Sequence, residues 1–171
     1  MLDGGLMPIL PETISGVDLI IFTEVIEHIN NPNEVLSYIY NILNNNGLLF
    51  ITTPNFESIE RYVLGPEWGM IMYPEHVCYY SPNTLDKILH NHGFKKIQIY
   101  SENISVYRIF QYINRNRSNL KTEFDAEGLS AKAQAIATNN RIAKLMKNSI
   151  NTILKLTNSG SSIVAMYRKS N

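Results

Sequence analysis

The stretch DLIIFTEVIEHINNPNEV, residues 18–35, places Glu24, Glu27 and His28 where an apolar run gives way to a polar segment. Spacings of three and four bring side chains onto one face of a helical turn. If such a turn begins at Glu24, two carboxylates and an imidazole converge. That set can ligate a divalent cation through hard oxygens and a nitrogen. It can equally hold a hydroxyl and take its proton. A third reading is a structural corner with no bound ion.

His76, in PEHV, sits in a long segment between Pro74 and a run of aromatics. A near-neutral imidazole there suits a general base in a lid, or it hydrogen bonds a backbone carbonyl. Trp68, Tyr73, Tyr79 and Tyr80 supply a wall or stacking platform for substrate, with at least two of the four expected to be core. Asn55, just after Thr53 and Pro54, either touches substrate or shapes a turn.

The elements that must position these groups follow from pattern. Residues 17–23, VDLIIFT, form an unalternating apolar run, as expected of a strand covered on both faces. Asn31, Pro32 and Glu34 start a helix with Val35, Ile39, Ile42 and Leu43 on one face, and Gly47 is expected to end it in a left-handed cap. Residues 48–53 form a second continuous strand, which makes a βαβ unit. The segment 54–80 is too long for a passive connection and carries a short helix near FESIERYVLG. Ser81 and Pro82 open a helix with Leu85, Ile88 and Leu89 inward, closed by Gly93. A strand at 95–101 follows, then an amphipathic helix at 104–116 (Val106, Ile109, Phe110, Ile113), a linker, and a helix over roughly 130–156 striped by Ile142, Met146, Ile150, Ile153 and Leu154. The strand 161–169 closes the chain. The order predicts an α/β fold with a mostly parallel sheet, whose ligands sit beyond the strands' carboxyl ends. Glu24 and Thr53–Asn55 lie there.

Composition narrows the partners. The 171 residues are 44% apolar and carry 15 acidic and 15 basic side chains. A net charge of zero argues against a nucleic-acid backbone as partner. One cysteine, Cys78, leaves no internal disulfide, which fits a cytoplasmic setting. No apolar run is long enough to span a membrane, and the first residues do not read as a secretory signal.

Taken together, VDLIIFTEVIEHI, the helix and Gly turn, LLFITTPN, and the later W, P-x-H and YSPNTL…GF segments resemble the second half of class I S-adenosylmethionine-dependent methyltransferases. The resemblance covers residues 1–101 and the last strand. It implies a Rossmann-like partial sheet of strands four to seven, the last antiparallel, with helices on both faces and a helical insert at 104–159. It implies S-adenosylmethionine as cofactor, with Asp3 at the adenine, Gly4 beside it, and Thr23 and Glu24 in the pocket. His76, Glu27 and His28 become the catalytic candidates, and Asn55, Trp68 and Tyr73 the substrate contacts. A divalent metal, if present, falls to Glu24, Glu27 and His28, an ExxEH pattern that similar ubiquinone-pathway and small-RNA enzymes carry, with His76 matching a further His of the RNA enzymes. The metal-free corner, in which the imidazole packs beneath the sheet and Glu24 lines the cofactor pocket, is preferred. The family's Gly-rich cofactor turn is missing, so the expectation is a single, N-terminally truncated domain over 1–171. The implied function is methyl transfer to a small-molecule or sugar/glycan hydroxyl. The alternatives are a non-catalytic half-domain acting as a binding or structural partner, including as a homo-oligomer, and a metal-dependent RNA 2′-O-methyltransferase.

Overall fold

The computed structural model describes residues 14–117, 149 and 151–170. Strand β1 (Val17–Thr23) leads through a 3₁₀ turn (Ile26–His28) and helix α1 (Pro32–Ile42) to strand β2 (Leu43–Pro54). Helix α2 (Ile59–Leu64) opens the long connection, and helix α3 (Pro82–Asn91) precedes strand β3 (Phe94–Glu102). Helix α4 (Val106–Arg117), helical residues 151–157 and strand β4 (Ser162–Lys169) complete the described chain.

The sheet order is β1-β2-β4-β3. β1 and β2 run parallel, pairing Leu19 with Leu48 through Thr23 with Thr52, whereas β4 is antiparallel to both β2 and β3. A parallel βαβ unit with an antiparallel last strand inserted beside it is the expected Rossmann-like half sheet. Alternate residues of the central strands form one buried face, with Leu49, Ile51 and Thr53 from β2 and Ile163, Ala165 and Tyr167 from β4. The apolar members of that face pack with Val35, Leu36 and Ile39 of α1, Leu85 and Leu89 of α3, and Phe94. Each such aliphatic side chain contributes about 1.5–3 kcal/mol by leaving water. This layer holds the carboxyl ends of β1 and β2 in place.

The α3 boundaries agree with their local signals. Ser81 and Thr84 form a reciprocal capping box, Pro82 is the first helical residue, and Gly93 adopts φ +83 after the helix. A side chain at Gly93 would also meet the Tyr40 ring at 2.8 Å. The end of α1 differs from expectation. The helix stops at Ile42, Asn46 rather than Gly47 takes the left-handed conformation, and β2 begins at Leu43. Gly47 is required for closeness instead, because a Cβ there would lie 2.9 Å from the Asn44 carbonyl oxygen.

β1 also departs from the reading as a strand covered on both faces. Among the described residues it pairs with β2 alone, and Leu19 and Ile21 are 48% and 65% exposed while Ile20 and Phe22 pack on the core. An apolar run does not report whether the second face is filled. On α4, Phe110 and Ile113 are exposed. The 130–156 helix falls outside the described residues except for 149 and 151–156, where Leu154 is buried and Ile153 exposed rather than sharing one stripe.

Candidate functional site

The site is built where β1 ends. Glu24 takes a left-handed conformation, φ +51, which costs a non-glycine residue roughly 1–2 kcal/mol. The conformation is held by two bonds to β2. The Glu24 amide donates to the Thr52 carbonyl at 3.0 Å, and the Thr52 hydroxyl donates to Glu24 Oε1 at 2.8 Å. The reversal lifts the chain off the sheet, and residues 26–28 wind as a 3₁₀ turn, with the His28 amide bonded to the Val25 carbonyl. Glu24 is therefore not part of the helical turn. It remains at the strand's mouth, exposed beside Thr23, while Glu27 and His28 turn inward.

Glu27 is 2% exposed. Its Oε2 accepts from the Thr53 hydroxyl at 2.9 Å, and its Oε1 lies 3.9 Å from His28 Nε2. Burial pushes the carboxyl above its usual range. Its own backbone amide and the Thr53 hydroxyl pull the other way, Glu24 adds to the rise, and His28 offsets part of it.

The 70–80 segment brings the third member. The Glu27 carbonyl accepts from the Val77 and Cys78 amides at 2.9 and 3.0 Å, pinning the loop to the residue that contributes the carboxylate. His76 is buried, its Nδ1 bonded to the Met70 carbonyl at 2.8 Å. His28 Nδ1 makes a matching 2.8 Å bond to the Glu75 carbonyl. A carbonyl oxygen only accepts, so both Nδ1 atoms carry hydrogen, and each ring, when neutral, presents a lone pair at Nε2. The rings meet edge to face at 4.6 Å. Glu27, His28 and His76 each offer a ligand atom within 4.8 Å of the others. Two imidazole nitrogens, each oriented by a carbonyl on the opposite nitrogen, and one carboxylate form a donor set that fits a borderline divalent cation. It also fits a hydroxyl whose proton passes to an imidazole.

Of the four residues named for a metal if one is bound, the structure brings these three together and leaves Glu24 apart, because the left-handed turn separates it from the cluster. Two substrate candidates change role. Asn55 is fully buried, with both functions of its amide spent. Its Nδ2 donates to the Asn158 and Gly160 carbonyls at 3.0 and 2.8 Å, and its Oδ1 accepts from the Glu57 amide. It braces the start of β4 against the end of β2. Trp68 is 1% exposed and packs edge-on against Phe56, so it is core beneath the loop, as is Tyr80. Tyr73, in contrast, is 79% exposed on the same loop as His76. Asp3 and Gly4 lie outside the described residues. The sequence places Thr53 only at the carboxyl end of its strand; its bond to Glu27 had no signal beyond a polar residue on the buried face of a strand.

A parallel βαβ unit with an antiparallel last strand beside it is part of the class I S-adenosylmethionine-dependent methyltransferase fold, which solved structures similar to this chain share. The family profile described as Methyltransferase domain matches residues 13–99, and the chain belongs to that family. It is 29% identical over 132 residues to the mitochondrial ubiquinone biosynthesis O-methyltransferase of Rattus norvegicus, a match covering 73% of this chain and 37% of that one. Solved structures with the same fold include an S-adenosylmethionine-dependent methyltransferase of Thermotoga maritima described as a possible histamine N-methyltransferase, with TM-score 0.54 and 13% identity over 94% of this chain and 60% of that one. A second, from Archaeoglobus fulgidus, has TM-score 0.50 and 18% identity over 91% of this chain and 61% of that one. The [4+2]-cyclase SpnF, at TM-score 0.51 and 15% identity over 94% and 52% of the two chains, has this fold under a different activity. Fold alone therefore does not fix the reaction. The chain spans 37% of the length of the curated relative and about 60% of the Thermotoga chain. Among the described residues, no helix is long and apolar enough to cross a membrane.

Proposed function

We propose that this chain forms the acceptor side of an S-adenosylmethionine-dependent O-methyltransferase site, where Glu27, His28 and His76 receive a hydroxyl of a small-molecule acceptor. The convergence of these three groups at the carboxyl ends of β1 and β2 carries the reading. The likeness to a ubiquinone biosynthesis O-methyltransferase supports a hydroxyl oxygen as the methylated atom. When bound, S-adenosylmethionine supplies an electrophilic sulfonium methyl and leaves as the neutral thioether. Glu24 and Thr23 face the cofactor at the mouth of β1, with Asp3 and Gly4 assigned to its adenine. His76 Nε2 takes the hydroxyl proton, the Glu27 carboxylate beside it in the cluster stabilises the single imidazolium that results, His28 helps hold the acceptor, and Tyr73 covers it. Holding the oxygen in line is the larger gain, up to about 7–11 kcal/mol in well-oriented systems. The acceptor is taken to be a sugar or another small hydroxyl compound, and the setting cytoplasmic.

A second reading places a divalent cation among the same three side chains, where it would lower the acceptor hydroxyl's pKa in place of the imidazole base. The paired Nδ1–carbonyl bonds favour it, since they leave the Nε2 of each ring free to ligate in a cluster where all three ligand atoms lie within 4.8 Å of one another. Nitrogen-rich donors suit Mn²⁺, Co²⁺ or Zn²⁺ better than Mg²⁺. An RNA acceptor is disfavoured by the balance of 15 basic and 15 acidic side chains, which gives no basic excess for a phosphate backbone.

Calorimetry of the whole chain with S-adenosylmethionine, followed by transfer of a labelled methyl group to catechols and monosaccharides, tests the proposal. Binding that Glu24→Ala weakens, and transfer that His76→Ala abolishes, are the expected results. A folded chain that takes up no cofactor instead leaves the half-domain reading, for which the exposed Leu19 and Ile21 on β1 speak. Unchanged metal content in His76→Ala would remove the cation reading.

A further inference from the structure

The side of β2 that faces the helices is apolar at Leu49 and Ile51 and then, at the next inward position, carries Thr53, which is as fully buried as they are. A hydroxyl there has to find a partner, since an unpaired buried polar group is costly. It finds Glu27 Oε2, at 2.9 Å. The consequence lies on the carboxylate's other side. With Oε2 held by Thr53, Oε1 is the oxygen directed at His28, whose Nε2 it faces at 3.9 Å. The other two members of the cluster are fixed in the same way, each ring through its Nδ1 by a backbone carbonyl, that of Glu75 for His28 and that of Met70 for His76. Each donor thus has one atom committed to the scaffold and one presented to the centre.

We propose that Thr53 is a positioning residue for a divalent-cation centre formed by Glu27, His28 and His76, fixing through its hydroxyl which carboxylate oxygen faces the two imidazoles. The proposal rests on the cation reading above. The neighbouring hydroxyl provides an internal contrast. Thr52, one residue earlier and on the opposite side of the strand, donates to Glu24 instead. Two adjacent threonines therefore divide the two glutamates, one held at the mouth and the other in the cluster. A side chain isosteric with threonine but without the hydroxyl would keep the packing of β2 while freeing the Glu27 carboxylate to rotate about its last torsion. Losing an outer partner of a ligand typically weakens a metal roughly 10- to 100-fold.

The test uses the whole chain, stripped with a chelator and titrated with Co²⁺, read by the visible d–d bands and by calorimetry. In Thr53→Val, affinity is expected to fall roughly 10- to 100-fold with an altered Co²⁺ spectrum. Thr53→Ser restores both, and Thr52→Val binds Co²⁺ as the wild type does. Thr53→Ala, which removes the hydroxyl with less demand on packing, serves if the valine variant does not fold. Equal Co²⁺ affinity in wild type and in the variants lacking the hydroxyl overturns this proposal while leaving the cation reading intact. So does a serine variant as weak as valine. A folded wild type that takes up no Co²⁺ overturns both.

Discussion

Glu27 and Glu60 are both carboxylates with almost no exposed surface, and both sit near the end of β2, but they are surrounded in opposite ways. Glu60, on α2, is enclosed by groups that answer a negative charge. The Ser105 amide and the Ser161 hydroxyl donate to its Oε2, and the Arg108 guanidinium lies 3.5 Å from its Oε1. These partners come from the segment before α4, from α4 itself and from the residue preceding β4, so the carboxylate ties three chain segments together. Glu27 has one hydroxyl donor, its own backbone amide, and two imidazoles whose facing nitrogens carry lone pairs when neutral. In the Glu60 clasp both donors are spent on one oxygen, and Oε1, which makes no hydrogen bond among the described residues, faces only the Arg108 guanidinium. Glu27 presents its second oxygen to titratable imidazoles, and that company, more than burial, marks its corner as the functional one.

The largest effect expected from this contrast is at the clasp. Glu60→Ala should cost about 2–4 kcal/mol, because a buried amide and a buried hydroxyl lose their acceptor together. The urea midpoint should drop accordingly while Co²⁺ affinity stays at the wild-type value. A matching loss of Co²⁺ affinity would show that the two carboxylates are not independent.

Glu27→Gln should act in the opposite sense. The Glu27 pKa is raised in the folded chain, chiefly by burial, so the native state holds that proton more tightly than the unfolded one. The group's stabilising contribution is complete in acid, below the ordinary carboxylate pKa, and disappears as pH rises through the raised value. Above that range the ionised carboxylate is a liability in the metal-free chain. The glutamine variant should therefore melt a few degrees higher than wild type at neutral pH, and the gap should close on acidification. The same variant should lose the thermal stabilisation that Co²⁺ or Mn²⁺ gives to wild type. A metal-free variant less stable than wild type at neutral pH would mean that His28 and His76 already satisfy the carboxylate, as the partners of Glu60 do.

Legibility in the sequence followed the range of the interactions. The strand at 17–23, the Ser81–Pro82 start of α3 and its Gly93 end are encoded within a few neighbouring residues, and they stand where the pattern put them. The company of Glu27 and His28 was readable from spacing, whereas that of His76 came only from the family resemblance. The separation of Glu24 from the turn was one of the outcomes left open, because a left-handed glutamate has no compositional mark; the cause lies in two bonds to Thr52, 28 positions away. Asn55 was misjudged for the same reason on a longer scale, since its amide is consumed by carbonyls 103 and 105 residues further on. The exposure of Leu19 and Ile21 was invisible because an apolar run looks the same whether its second face is filled or open.

The smallest predicted effect separates the two halves of the clasp. Arg108 is half exposed, unlike the carboxylate it faces. An ion pair with one solvated partner gains little and is screened by salt, so Arg108→Met should cost no more than about 1 kcal/mol, and less in high salt. The Ser105 and Ser161 donors would still satisfy Oε2 in that variant. If Arg108→Met proved as damaging as Glu60→Ala, the guanidinium charge would be the dominant partner, and Glu60 would owe its tolerance of burial to electrostatics rather than to hydrogen bonds. That outcome would redraw the contrast with Glu27. The difference between the two carboxylates would then lie in having a permanent cation against titratable imidazoles, and a cation introduced beside Glu27 by Thr53→Lys would be expected to convert the open corner into a second closed clasp.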